Sequence, residues 1–281
     1  MTFRELVAVL RCLDCGGPLR GGETGLACPG CGRAYRVVES IPVMMDEDPE
    51  AEVWKGYFQR LAGARGDSES ANSYFNLRSF RIVRGNLLRL IGRPSGIPIL
   101  DIGCGTGHFS RSLAEGNRLI GADISLEMAS YARTKGLATV QSSGRKLPFG
   151  PESFALVIAN NVIQSFREGG PFVREAARVL RPGGRLILSA TNGQNLAMTF
   201  LRRLERRKYR HLGSYSAAAL RRLIREAGLE AASLLFFYFP TGKVSETRGD
   251  ARVGWFRKRL AATVAVEAVK PVHCKNPDPF L

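Results

Sequence analysis

Residues 99–110 read Ile-Leu-Asp-Ile-Gly-Cys-Gly-Thr-Gly-His-Phe-Ser. An apolar run carrying Asp101 closes on three alternating glycines, Gly103, Gly105 and Gly107, and a second carboxylate, Asp123, lies twenty positions beyond Gly103. Glycine at alternate positions lets a chain turn sharply off a strand and bring bare backbone against a ligand, and an acidic residue about 20 positions further on accepts hydrogen bonds from a ribose. The pattern therefore reads as a site for an adenosine-type cofactor. A dinucleotide fits it poorly, because Asp101 would repel a pyrophosphate and the dinucleotide fingerprint is G-x-G-x-x-G rather than G-x-G-x-G. A cationic adenosine derivative suits the two carboxylates.

The segments that follow come in a consistent order. Leu119 to Asp123 (LIGAD) reads as a second strand, Leu147-Pro148-Phe149 leads into a strand at Phe154 to Asn160 (FALVIAN), and Val179 to Ser189 (VLRPGGRLILS) reads as a helix end, a Pro-Gly-Gly turn and a strand. Ser214 to Gly228 (SYSAAALRRLIREAG) reads as a capped helix, and residues 229–239 and 263–272 as the last two strands. In this order the chain resembles the class I S-adenosylmethionine-dependent methyltransferases, of the methyltransferase type 11-like group, over residues 74–273. The resemblance implies an α/β fold: a Rossmann-like, seven-stranded, mostly parallel sheet with helices on both faces. It implies S-adenosylmethionine as cofactor, held by Asp101, Gly103, Cys104, Gly105, Gly107, Asp123, Ile124, Ser143, Gly144 and Asn160. Ser143 departs from the pattern, standing where many relatives carry an Asp for the adenine amino group. A neutral hydroxyl is a weaker partner than a carboxylate.

Near the amino terminus, Cys12-x2-Cys15 and Cys28-x2-Cys31 supply four thiolates in two knuckle-like pairs, the ligand set of a tetrahedral zinc site. Two disulfides are the competing use of these cysteines. Nothing resembling a signal peptide precedes them, and the expectation is a cytoplasmic chain with structural Zn2+, since four Cys ligands leave no open position. Residues 5–45 resemble the Trm112-like zinc ribbons, whose members act as activators of methyltransferases; here the partner is supplied in cis. The expected organisation is a zinc ribbon at 1–45, a linker and N-terminal helices (53–62 and 74–91) forming a candidate lid within 46–96, and a methyltransferase domain at 97–281. Tyr74 and Phe75 are candidate lid residues or ordinary helix-face aromatics.

Lys and Arg number 41 against 25 Asp and Glu, a net charge of +16. Arg202, Arg203, Arg206, Arg207, Lys208 and Arg210 form a run, followed by Arg221, Arg222 and Arg225. Such a patch is the footprint of contact with RNA or with an anionic membrane surface, or simply a solvated helix face in an arginine-rich chain. The longest aromatic-aliphatic run, Leu234 to Phe239, is too short to span a bilayer.

Methyl transfer needs alignment and desolvation more than acid-base machinery. Asn160-Asn161-Val162-Ile163 is not the Asn/Asp-Pro-Pro-aromatic loop of exocyclic-amine methyltransferases, and no Cys after the fourth strand offers a covalent nucleophile. If a base is used, His211 is the candidate among three histidines, against the reading of a surface His beside arginines. The favoured function is methyl transfer to an O, N or C acceptor of a small or carrier-linked molecule of quinone, sugar or secondary-metabolite type. The runner-up is an rRNA or tRNA base methyltransferase, suggested by the ribbon, the basic balance and a likeness of the Ser142-Ser143 segment to 23S rRNA guanine methyltransferases. The third reading is a non-catalytic activating or binding module.

Overall fold

In a computed structural model the described residues are 1–46, 49–69, 77–197, 199–200, 213–238, 241, 243–248 and 259–272. Tyr74, Phe75, His211, His273, Cys274 and the basic run 202–210 lie outside them.

The amino-terminal segment begins with helix α1 (Phe3–Val9), started by a reciprocal cap. The Thr2 hydroxyl accepts from the Glu5 N–H at 3.2 Å and the Glu5 carboxylate accepts from the Thr2 N–H at 2.6 Å. Strands β1 (Arg20–Gly22), β2 (Gly25–Ala27) and β3 (Ala34–Tyr35) form a small antiparallel sheet, and β4 (Val37–Val38) and β5 (Ile41–Met44) form a hairpin turning at Glu39 and Ser40, both at positive φ. Helices α2 (Pro49–Arg65) and α3 (Leu77–Ile91) follow. The rest runs β6 (Pro98–Ile102), β7 (Arg118–Asp123), α4 (Leu126–Thr134), β8 (Ala138–Ser142), β9 (Phe154–Asn160), α5 (Gly169–Val179), β10 (Leu180–Thr191), α6 (Ala217–Glu226), β11 (Glu230–Tyr238), β12 (Lys243–Arg248) and β13 (Thr263–Val269).

The sheet runs β12-β11-β13-β10-β9-β6-β7-β8-β5-β4. Its middle is the expected seven strands, parallel from β10 to β8 and antiparallel at β13 and β11. Three strands beyond the expectation extend it to ten. β12 pairs antiparallel with β11, and the β4–β5 hairpin joins the far edge, β5 lying parallel to β8 with Met44 opposite Ser142. Side chains alternate across the sheet as period two demands: Leu100, Ile102, Val157 and Ala159 enter one apolar cluster, Ile99, Leu156 and Ile158 the other. Both faces are covered, which explains why β9 is apolar from Phe154 to Ala159, with the polar Asn160 only at its carboxyl end.

The cysteine-bearing segment does not stand apart from this core. Leu6, Leu10 and Leu13 share a cluster with Phe149 and Phe154, and Arg11 N–H donates to Pro148 O at 2.9 Å. Leu6, Leu10, Ile41 and Met44 are all under 3% exposed, and burying each such side chain contributes about 1.5–3 kcal/mol.

After the glycine turn the chain forms only a 3-10 turn at Arg111–Leu113 and no α-helix. Two serines, a histidine and a phenylalanine give the stretch weak helix propensity, while Phe109 and Leu113 hold it by packing into the second cluster.

Candidate functional site

A cleft of about 1010 Å³, its open mouth included, runs along the carboxyl ends of β6, β7, β8 and β9. Ligands of open parallel sheets bind in this position, outside the strand ends. Asp101, Gly103, Cys104, Gly105, Asp123, Ile124, Gly144 and Asn160 all line it.

The glycine turn is built against β7. Gly103 N–H and Cys104 N–H donate to Ala122 O at 2.7 and 3.2 Å, and Gly105 N–H donates to Asp123 Oδ2 at 2.8 Å. The first three donors of the turn are thus engaged by β7. Gly103 has φ +69, and a Cβ there would lie 2.3 Å from Val162 Cγ2; Gly107, at φ +78, would meet the Ala132 backbone at 3.0 Å. Gly107 shapes the turn from behind the cleft, while Gly144 makes room for Phe172, whose ring atom would lie 2.7 Å from a Cβ.

Both carboxylates are buried. Asp123 takes a second backbone donor, Ser125 N–H at 2.9 Å, on Oδ1. Burial pushes its carboxyl up to about 6, against the pull of the Ser125, Gly105 and Ile124 amides. Asp101 is pushed up to about 7 by burial, with the Ser110 hydroxyl pulling down and the Asp123 charge adding a further rise. That hydroxyl closes no hydrogen bond of normal geometry, for Asp101 Oδ2 and Ser110 Oγ are both buried without a partner. Burial and the two carboxylates hold the Cys104 thiol well above its ordinary range, so it stays neutral.

Ser143 does not line the cleft; its Oγ accepts from Arg145 N–H at 3.3 Å within a turn. The cleft is lined instead by Ser142, whose buried Oγ has no partner. Asn160 Oδ1 accepts from Ser189 Oγ at 2.6 Å. Ala51, Trp54, Phe58 and Leu61 of α2, within the stretch expected as linker and candidate lid, close one wall. Phe58 and Leu61 pack on Met128 and Tyr131, and past the helix end Asp67 binds Lys135 and His108 Nε2, the latter at 3.2 Å. His108 therefore ties the segment after α2 to the glycine turn.

The four cysteines converge. Their sulfur atoms all lie within 4.8 Å of one another, Cys12 to Cys31 at 3.5 Å and Cys15 to Cys28 at 3.4 Å. A tetrahedron of sulfurs at about 2.3 Å from zinc has edges of about 3.8 Å, so the donor set fits the ion. The two knuckles repeat one geometry: Gly16 N–H donates to Cys12 O and Gly32 N–H to Cys28 O, each at 2.9 Å, with both glycines at positive φ. Burial raises the Cys12 thiol, but donation from the Tyr35 hydroxyl and the Cys15 and Asp14 amides outweighs it and brings the thiol down to about 6. The Cys15 and Cys31 thiols move the other way: against the pull of the Gly17 and Arg33 amides, hydrogen bonds from neighbouring thiols raise them.

Residues 100–188 match the family model of a methyltransferase domain. The methyltransferase match takes in Asp101, the glycine turn, Asp123 and Asn160, and leaves out the cysteines. The malonyl-[acyl-carrier protein] O-methyltransferase of Yersinia pestis is 32% identical over 134 residues, 46% of this chain and 50% of that protein. The demethylmenaquinone methyltransferase of Lactococcus lactis is 27% identical over 141 residues, 46% of this chain and 56% of that protein. The chain thus spans little more than half the length of these curated relatives. A solved S-adenosylmethionine-dependent methyltransferase of Thermotoga maritima, described as a possible histamine N-methyltransferase, superposes with a TM-score of 0.59 at 20% identity, covering 76% of this chain and 99% of that one. That likeness shows a methyltransferase fold. Among the described residues no helix is long and apolar enough to cross a membrane.

Proposed function

We propose that the chain is an S-adenosylmethionine-dependent methyltransferase acting on an O, N or C acceptor of a small or carrier-linked molecule, with a structural Zn2+ held by Cys12, Cys15, Cys28 and Cys31. The observation that carries this reading is the pairing of Asp101 and Asp123 around a glycine turn whose first N–H donors are already taken by β7. A pyrophosphate would meet two carboxylates and few free amides there. A cationic adenosine derivative meets what it needs: Asp123, held by two backbone donors, keeps lone pairs for a ribose, and the partnerless Asp101 Oδ2 awaits a donor or cation. When bound, S-adenosylmethionine supplies a methyl group on a sulfonium sulfur, which passes to a nucleophilic acceptor. The chain's own residues bind, orient and exclude water, with α2 roofing the cleft. The names of the Yersinia and Lactococcus relatives, one carrier-linked and one a quinone-type substrate, support this class of acceptor.

Zn2+, when bound, supplies a closed structural node with no open position for chemistry. It would fix the segment that delivers β5 to the edge of the sheet, beside the strand carrying Ser142.

Calorimetric titration with S-adenosylmethionine tests the reading. Binding in the micromolar range is expected, and loss of a charge-assisted pair to ribose in Asp123→Ala costs about 2–3 kcal/mol, a 30- to 150-fold weakening.

A further inference from the structure

The cleft's charge is opposite in character to the chain's. The net charge is +16, yet among the described residues lining the cleft there is no Lys, Arg or His. Arg145, in the same corner of the molecule, holds its guanidinium over the Phe166 ring, 5.2 Å from the centroid. Phe166 also stacks on Phe172 at 4.9 Å, with the planes 27° apart. An anion brought into the cleft would lose its hydration, face two buried carboxylates and find no cation in this lining. The rest of the wall is largely apolar, with the flat rings of Trp54, Phe58 and Phe166 in it.

Besides Asp101 Oδ2 and Ser142 Oγ, a third buried polar atom in this wall has no partner. Asn161, just past the end of β9, has φ +57, a left-handed conformation that asparagine tolerates better than most side chains but that still costs energy. Its N–H donates to Ser189 Oγ at 3.0 Å and to Ser189 O at 3.2 Å, which pins the backbone. The side chain lines the cleft, and its Oδ1 is buried with no hydrogen-bond partner. A donor brought by a ligand would remove that deficit.

We infer that the acceptor taken beside the cofactor is a neutral, planar, largely apolar molecule bearing a hydroxyl group, and that Asn161 is the residue whose amide receives that hydroxyl. An acceptor carrying a phosphate or carboxylate at the buried end meets no cation among the described lining residues and is disfavoured there. The inference rests on the methyl-transfer reading and narrows its substrate class.

The test uses the full zinc-loaded chain saturated with S-adenosylhomocysteine and titrated with 2-naphthol, 2-methoxynaphthalene and 2-naphthoate. The expected result is that 2-naphthol binds about tenfold or more tightly than either the donor-less ether or the anion. Asn161→Gly keeps the left-handed backbone without strain and removes the amide. It is expected to bring 2-naphthol to the affinity of the ether while leaving S-adenosylhomocysteine binding unchanged. Asn161→Asp, which retains an acceptor oxygen, is expected to keep the preference for 2-naphthol over the ether. Naphthoate binding as tightly as naphthol, or a preference for naphthol that survives Asn161→Gly, overturns the inference. Binding of S-adenosylhomocysteine without any binding of 2-naphthol overturns the inference alone; failure to bind S-adenosylhomocysteine overturns the methyl-transfer reading beneath it as well.

Discussion

The four-cysteine knot and the glycine-lined cleft are both places where backbone is bent to serve a ligand, yet they are assembled in opposite ways. The knot is two copies of one local turn, Cys12 to Gly17 and Cys28 to Arg33, each closed by its own amide hydrogen bonds. The cleft draws on the ends of four strands and on two helices that precede them in the chain. A local site depends on its ligand for stability, because two short turns and a three-stranded sheet hold too little core. A site gathered from a large sheet inherits its shape from a core that exists without ligand. The two are joined where Met44 pairs with Ser142, and where Asp46 accepts from Arg33 at 2.6 Å and from Lys146 at 2.7 Å.

Removing the metal is the harshest way to break that comparison. Structural zinc sites contribute about 10–16 kcal/mol of apparent binding energy, comparable with the whole stability of a domain. Chelation or Cys28→Ser is therefore expected to unfold the amino-terminal segment and to lower the melting temperature of the entire chain, because Leu6 and Leu10 share a cluster with Phe149 and Phe154. A cleft that binds S-adenosylmethionine unchanged after chelation would show that the regions are independent.

Two glycine substitutions sharpen the contrast. Gly32 and Gly103 both sit at positive φ, +76 and +69, but a Cβ at Gly32 meets nothing within 4 Å while one at Gly103 drives into Val162. Gly103→Ala is expected to cost about 2–4 kcal/mol and Gly32→Ala about 1 kcal/mol in urea unfolding of the zinc-loaded protein. Equal costs would mean that Val162 moves aside freely.

Proton linkage separates the regions in another way. Asp101 and Asp123 have ordinary values of 3.8 and folded values of about 7 and about 6. The folded chain retains protons that the unfolded chain has released across that window, so these two groups reduce stability as pH rises through it. A cationic ligand favours the ionised forms, and its stabilising shift in melting temperature is expected to grow between about pH 5.5 and about pH 8. A shift that shrinks with pH over that range would contradict the pairing of cation and carboxylate.

The smallest effect belongs to the bridge between the regions. Lys146 is half exposed, and Lys146→Ala is expected to cost under about 1 kcal/mol, a shift of a few degrees in thermal unfolding. A larger loss would make the bridge, rather than the β5–β8 pairing, the main tie.

What the amino-acid sequence disclosed follows the same division. The cysteine spacing and the stretch from Asp101 to Asp123 are contiguous patterns in which residue type and spacing carry the chemistry, and six of the seven middle strands announce themselves by apolar runs and turns; β8, whose ATVQS mixes polar and apolar residues, does not. The cleft walls do not. Trp54, Phe58 and Leu61 read only as one face of a helix, with nothing local to say what that face covers. Ser143 and Ser142 show how fine the margin is: along extended backbone one residue exchanges the faces of a strand, so choosing the second serine of the pair put a hydroxyl in a turn instead of the cleft. β5 joins the sheet through backbone pairing, which leaves little trace in side chains. β12, with a single buried residue among exposed and half-buried ones, lacks the apolar run that would have marked it. Asn161 reads as one of two adjacent asparagines until its backbone angle and unpaired oxygen are seen.

The most direct test of the central claim is calorimetric titration of the zinc-loaded protein with S-adenosylmethionine, beside Asp123→Ala. The account predicts micromolar binding by the parent chain and a weakening of 30-fold or more in the variant, about 2 kcal/mol or more. Absence of binding, or equal affinity in the two proteins, would contradict the assignment of this cleft to an adenosine cofactor.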